Sequence, residues 1–265
     1  MLYYWNVKLS WRFRIMSDIK INNITDRTGD SGPIFAGIST VSTSGFMVMP
    51  SGPTEFRGGR GRGIFAGEEP SSSGIDKIEI ATLGNAVTFG TLSRSKQATS
   101  ATASSTRGVV FGGYSSPTYY TDIEYITASS LGGTFDFGDL VTARGWSAAC
   151  GDGIKGIVAG SWPGPAAIDF VNIATTGDSS KFGELGVRPD GQGGSQVGYE
   201  ITGGCGSPTR GIFGGGAFGV PSTTAVNLIH FISIQSGGNS AKFGELASKS
   251  YGVSASSNST RGIFF

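Results

Sequence analysis

The chain has 265 residues, 45 of them glycine, and its 20 basic and 19 acidic side chains leave a net charge of +1. So even a balance excludes binding by counterion release, and neither nucleic acid nor an anionic membrane surface is an expected partner. One histidine and two cysteines are too few for a multi-histidine zinc site, a cysteine-rich zinc module or a disulfide framework, so no metal and no cofactor are expected.

A hydrophobic fraction of 38% is too high for a disordered chain. Glycine at this density costs a helix about 1 kcal/mol per interior position relative to alanine, which favours short strands and tight turns. No 18-residue stretch is apolar throughout, so no membrane-inserted helix is expected.

In chain order, residues 1–15 are aromatic and basic (Trp5, Trp11, Arg12, Arg14) without the features of a secretory signal. Met16 opens a different composition, so residues 1–15 read as an extension and residues 16–33 as a leader or attachment segment. Two extended apolar pieces follow, at residues 34–41 and 45–49.

From residue 53 the chain repeats. A basic residue, a glycine and a β-branched or aromatic run recur at Arg62-Gly63-Ile64-Phe65, Arg107-Gly108-Val109-Val110, Lys155-Gly156-Ile157-Val158, Arg210-Gly211-Ile212-Phe213 and Arg261-Gly262-Ile263-Phe264. These landmark glycines are 45, 48, 55 and 51 residues apart. An extended apolar stretch follows each of the first four, and then Phe-Gly-x-Leu, beginning at Phe89, Phe137, Phe182 and Phe243. A small-residue stretch precedes the basic-Gly pair and supplies a fourth strand.

Four short strands in about 45 residues make the blade of a β-propeller, which buries its faces only by stacking on neighbours. The expected fold is therefore all-β, a propeller over residues 34–265 with about five four-stranded blades. Its units lie near 53–92, 97–140, 145–185 and 196–246, and the fifth combines residues 251–265 with strands from 34–49, so that both chain ends close the ring. Cys150 and Cys205 each precede a landmark glycine by six residues and so occupy equivalent places in successive blades. Sheets stacked about 10 Å apart are too distant for a disulfide, so both are expected as free thiols.

The small-residue strand, the Gly112-Gly113-Tyr114 strand end and the Asp122-Ile123-Glu124-Tyr125 strand resemble the kelch class of propeller, with Phe-Gly-x-Leu where kelch repeats usually carry Trp. Ser105-Thr106-Arg107-Gly108-Val109-Val110-Phe111-Gly112-Gly113 and Ser180-Lys181-Phe182-Gly183-Glu184-Leu185 are similar to units of the Gly-rich repeat virion and tail-fibre proteins of marine and cyanobacterial tailed phages. Nearly all of residues 16–265 shares this resemblance. It implies a virion structural protein made in the host cytoplasm, associated with the tail or fibre, and binding a host surface glycan or receptor or a neighbouring virion protein. Homo-oligomers are common among such appendages. A head-decoration or assembly role, or a propeller-based glycan-cleaving enzyme, are the alternatives.

Binding residues concentrate in loops carried by a rigid scaffold. The loops that vary between units hold Tyr119, Tyr120, Trp162 and Phe218, whose rings suit sugar faces or a protein interface. The third unit has ten extra residues, which bring Arg188 and Asp190. The recurring landmark Arg or Lys is expected to pair between blades or to hold a strand end, and the acidic residue of Phe-Gly-Asp/Glu-Leu is one candidate partner. His230 reads as a strand residue, no nucleophile can be paired with it, and no catalytic residue is assigned, so the protein is not expected to be an enzyme.

Overall fold

The computed structural model describes residues 41–43, 46–48, 61–67, 70–80, 82–130, 132–186, 197–201, 203–218, 224–258 and 260–265. Their regular structure is all β: antiparallel sheets, one of them curled into a half-barrel, and no helix among the described residues. The chain divides into two compact units, Met1–Thr54 and Glu55–Phe265. In the first, β1 (Val41–Thr43) pairs with β2 (Phe46–Val48).

The second unit opens with a three-stranded meander, β3 (Arg62–Ala66), β4 (Ser72–Glu79) and β5 (Val87–Lys96). Next come β6 (Ser100–Ala103), β7 (Arg107–Phe111), the small hairpin β8 (Tyr114–Ser115) and β9 (Thr118–Tyr119), then β10 (Asp122–Thr127) and β11 (Phe135–Asp139). Strands β6, β7, β10 and β11 form a four-stranded sheet in chain order. The pattern recurs with β12 (Ala148–Gly151), β13 (Lys155–Ala159), β15 (Ala167–Asn172) and β16 (Ser180–Glu184), interrupted by β14 (Ser161–Pro165). It recurs again after β17 (Val197–Glu200), with β18 (Gly203–Gly206), β19 (Arg210–Gly214), β21 (Thr224–Ser233) and β22 (Ala241–Ser250), and with β20 (Ala217–Phe218) inserted. The last pair is β23 (Ala255–Ser257) with β24 (Gly262–Phe264).

Burial shows that these sheets stack. Val109, Val110, Ile157 and Val158 are adjacent in sequence yet all buried, as in strands covered on both faces. Three apolar clusters lie between consecutive sheets, for example Phe89 and Leu92 against Val110 and Ile126. The ends of the stack differ from its middle. Phe65, at the place of Val110 and Val158, is 55% exposed, and Ile263, at the place of Val109 and Ile157, is 64% exposed, so opposite faces open at the two ends.

The landmark residues are the fasteners of this stack. A Cβ at Gly156, Gly211 or Gly262 would meet Thr102 Cγ2, Cys150 Sγ or Cys205 Sγ at 2.9, 2.5 and 2.9 Å, so these three landmark glycines make room for the first strand of the preceding sheet. Both cysteines are buried free thiols, each held in that role. The landmark cation reaches the next sheet: Arg62 donates to Ala128 O (2.8 Å), Arg107 to Ala174 O (2.9 Å) and Lys155 to Ile234 O (3.0 Å). Its partner is thus the orphan carbonyls at a strand end, not the acid of Phe-Gly-Asp/Glu-Leu. That acid pairs with a near neighbour, as Glu184 does with Lys181 at 2.7 Å.

A third fastener is buried. Lys96 meets Glu124 at 2.7 Å, and Arg144 meets Asp169, both cations coming from the end of one sheet and both acids from the third strand of the next. His230 stands in the third strand of its sheet where those acids stand in theirs, opposite Phe213 as Glu124 is opposite Val110 and Asp169 opposite Val158.

The all-β class holds, but neither the expected propeller nor the ring closed by both chain ends is found among the described residues. Strands β1 and β2 pair with each other, and β23 and β24 with each other, in separate two-stranded sheets. The extension at 1–15, the leader at 16–33 and the pieces at 34–40 and 53–60 lie outside the described residues.

Candidate functional site

In a meander, the connection after the second strand and the link into the next sheet fall at the same end. The irregular strands β8, β9, β14, β17 and β20 all arise in such connections. They meet there: β14 pairs with β17, β17 with β20, and single bridges join Gln97 to Tyr114 and Gly145 to Trp162. The links themselves are strung together, with Trp146 N–H donating to Ala98 O (3.1 Å) and Ile201 N–H to Trp146 O (3.2 Å). Ala98 and Trp146 occupy equivalent places and both have left-handed φ, 55° and 48°. Such backbone costs about 1–3 kcal/mol and persists only where its surroundings hold it.

That conformation aims Trp146 at an aromatic group. Tyr114 and Tyr119 lie 4.6 Å apart between ring centroids, and Trp146 is 5.3 and 6.2 Å from them. Burial raises the Tyr119 phenol above its ordinary pKa, with further push from Tyr114 and Glu200, while a hydrogen bond with Trp162 acts the other way. Nearby in the fold, Tyr199 stacks on Phe218 at 3.8 Å. The buried Glu200 follows Tyr199 on β17, and its hydrogen bond pushes the exposed Tyr251 phenol up to about 12. Half-buried rings such as Tyr114, Tyr119 and Trp146 can stack on the apolar face of a sugar.

Of the residues singled out from sequence, Tyr119 and Trp162 are brought together here, and Phe218 belongs to the same end through β17 and β20. Tyr120 is adjacent in sequence but engaged by Arg94, whose guanidinium lies 4.7 Å over its ring and which pairs with Asp122 at 3.0 Å. Arg188 and Asp190 lie outside the described residues. Sequence reasoning missed Tyr114, Trp146, Glu200 and Tyr251. An aromatic directly after glycine, at Gly113-Tyr114 and Gly145-Trp146, was the available signal.

His230 is fully buried, with Nε2 3.1 Å from Tyr199 Oη and Nδ1 3.3 Å from Ser240 Oγ. Burial pushes its pKa from 6.5 down to about 4, so it is neutral at pH 7. The unfolded chain takes up this proton first. The stability owed to the neutral ring is therefore present above pH 6.5 and is lost as pH falls toward 4. Between pH 6.5 and about 5 the wild-type chain is expected to lose on the order of 2 kcal/mol from this group. Melting temperatures across that window should fall less steeply in His230→Gln.

A cleft of about 610 Å³ between β3 and the β6–β7 pair is lined by apolar and small residues, with Arg62 the one ionisable group among the described lining residues. Among the described residues no cluster of three or more His, Cys, Asp or Glu is placed to hold a metal ion. No protein-family model matches the chain, and no curated protein matches it significantly.

Proposed function

We propose that this protein is a structural component of a tailed-phage virion, carried on the tail or fibre, and that it binds a host surface glycan or a neighbouring virion protein through its aromatic end. In this reading the stacked sheets are blades of a kelch-like propeller of about five blades, the fifth drawn from residues 251–265 and from the N-terminal region. The observation that carries it is the division of labour between the two ends of the sheets. The landmark cations hold one end of the sheets, while at the other, which also carries the buried Lys96–Glu124 and Arg144–Asp169 pairs, the connections of three successive sheets converge on Tyr114, Tyr119, Trp146, Trp162 and Phe218. A scaffold built by repetition with its variation gathered at one end suits recognition better than catalysis.

Binding of the purified chain to host cells and to a glycan array tests the proposal. Tyr119→Ala and Trp162→Ala are expected to weaken binding at least about tenfold, the scale of a binding hot spot. Melting curves of both variants separate lost binding from lost fold. Unchanged binding by well-folded variants would remove the aromatic end from the site, and release of cleaved glycan would favour the enzyme alternative.

A further inference from the structure

Successive sheets are joined by one recurring contact. The phenylalanine carbonyl of Phe-Gly-x-Leu accepts from a glycine N–H in the turn before the last strand of the next sheet, and the carbonyl two residues later accepts from the residue two further on in that turn. Gly132 donates to Phe89 O (3.0 Å) and Thr134 to Thr91 O (2.9 Å), Gly177 to Phe137 O (2.7 Å) and Ser179 to Asp139 O (2.8 Å), and Gly238 to Phe182 O (2.9 Å) and Ser240 to Glu184 O (2.9 Å). Each sheet thus gives with its turn and receives with its last strand.

Among the described residues, the two end sheets each hold one unused half. The turn before β5 carries Gly84-Asn85-Ala86, placed before Phe89 as Gly132, Gly177 and Gly238 are placed before Phe137, Phe182 and Phe243. It is built like the others. Thr82 N–H donates to Glu79 O at 3.2 Å, as Ser130 does to Thr127 O and Thr175 to Asn172 O, and Gly84 has a φ of 156° beside 140°, 150° and 117°. At the other end, Phe243-Gly244-Glu245-Leu246 on β22 receives nothing. No described atom lies within 4 Å of a Cβ placed on Gly244, where Gly90, Gly138 and Gly183 are covered by turn backbone, and Phe243 is 53% exposed. The fourth landmark cation is idle too. Arg62, Arg107 and Lys155 donate to carbonyls just past the third strand of the next sheet, whereas Arg210 lies over Phe231 and meets no such carbonyl among the described residues.

The end strands are complementary as well. β23 and β24 are a first and second strand without a third, while β3, β4 and β5 are a second, third and fourth without a first. Thr102, Cys150, Cys205 and Ser256 each stand six residues before a landmark glycine. The first three cover the landmark glycine of the next sheet, but no described first strand covers Gly108, which lines the cleft of about 610 Å³. Finally, β24 repeats β3, with Arg261-Gly262-Ile263-Phe264 matching Arg62-Gly63-Ile64-Phe65.

We propose that a second copy of this chain completes the last sheet. β24 of one protomer replaces β3 against β4 of its partner, giving a four-stranded sheet of β23 and β24 from one chain and β4 and β5 from the other. Arg261 then stands opposite Glu79 of the partner subunit and Gly262 opposite Ile78 of the partner subunit, the register that Arg62 and Gly63 hold in β3. Ser256 covers Gly108 of the partner subunit, Gly84 of the partner subunit donates to Phe243 O, and Arg210 donates to the carbonyl of Ile80 of the partner subunit. Exchange of equivalent strands between copies needs no new kind of contact. The proposal rests on the recurring contact and not on the binding role, so chains that associate without binding a glycan leave it standing.

Light scattering of the full chain should show a mass that rises with concentration above that of one chain. Gly244→Val is expected to weaken this association at least about tenfold, with the melting temperature of the dilute chain unchanged. In a mixture of Ser256→Cys and Gly108→Cys chains, oxidation should give a disulfide-linked pair that neither chain forms alone. A mass of one chain at every concentration, or association untouched by Gly244→Val, would overturn the proposal. A disulfide within one chain of the double variant would overturn it in favour of closure by the same copy. The mass measurement decides if Gly108→Cys, which crowds Ile126, fails to fold.

Discussion

Replacing Asp169 with alanine is expected to cost about 3–5 kcal/mol, the scale for breaking a buried ion pair by removing one partner. Arg144 and Asp169 are both buried, so the variant leaves a guanidinium in the interior without its counter-charge. The remaining partners of Arg144 are neutral: Thr142 Oγ1 at 3.1 Å, Ala167 O at 3.3 Å and Gly160 O at 3.5 Å. Desolvation dominates both members, raising the Asp169 carboxyl above its ordinary pKa despite Arg144 and lowering the Arg144 guanidinium despite Asp169. It follows that the pair contributes little net stability and that its disruption is what costs. The double replacement Arg144→Met with Asp169→Leu should therefore recover most of the loss. Denaturant unfolding of the three chains checks this. A single variant within about 1 kcal/mol of wild type would mean that water reaches Arg144.

Gly183→Ala is the second large effect. A methyl group there would overlap the carbonyl oxygen of Gly238 in the next sheet. The obstacle is backbone that is itself bonded to Phe182 O and Glu184 O, so the turn has to withdraw and the two hydrogen bonds at 2.9 Å go with it. Overpacking of about 1–3 kcal/mol and two backbone bonds at about 1 kcal/mol each give an expected loss of roughly 3–5 kcal/mol. For a chain of this size that is a fall of about 10 °C in melting temperature. Gly74→Ala, in β4, is the control: the one atom a Cβ there would meet is the Ser72 hydroxyl oxygen at 3.4 Å, an ordinary contact, and a small change is expected. Equal losses in the two variants would show that glycine matters for strand conformation and not for the contact with the next sheet.

Much of this architecture was legible because strand burial has a period of two and the units repeat. In β21 the alternation Val226, Leu228, His230, Ile232 reads directly as one buried face. The landmark glycines and Phe-Gly-x-Leu gave strand order within each sheet. What they are for was hidden, because each acts on a neighbour some 50 residues away. Nothing local to Cys150 reveals that its sulfur sits on Gly211, and nothing local to Gly183 points to Gly238. The landmark cations were read as pairing between sheets or holding a strand end, and they do both, whereas the acid of Phe-Gly-Asp/Glu-Leu offered as a partner pairs locally instead. At the candidate site, Tyr119 and Trp162 stood out as loop aromatics, whereas Trp146 reaches them only through the left-handed backbone of a link.

The placement of the protein on the particle tests the central claim most directly. Electron microscopy of purified virions with the chain labelled should find it on the tail or fibre, with the end formed by β8, β9, β14 and β20 turned toward solvent or toward a partner protein. Particles without the label, or a stack whose aromatic end is buried against its own scaffold, would contradict a role in surface recognition.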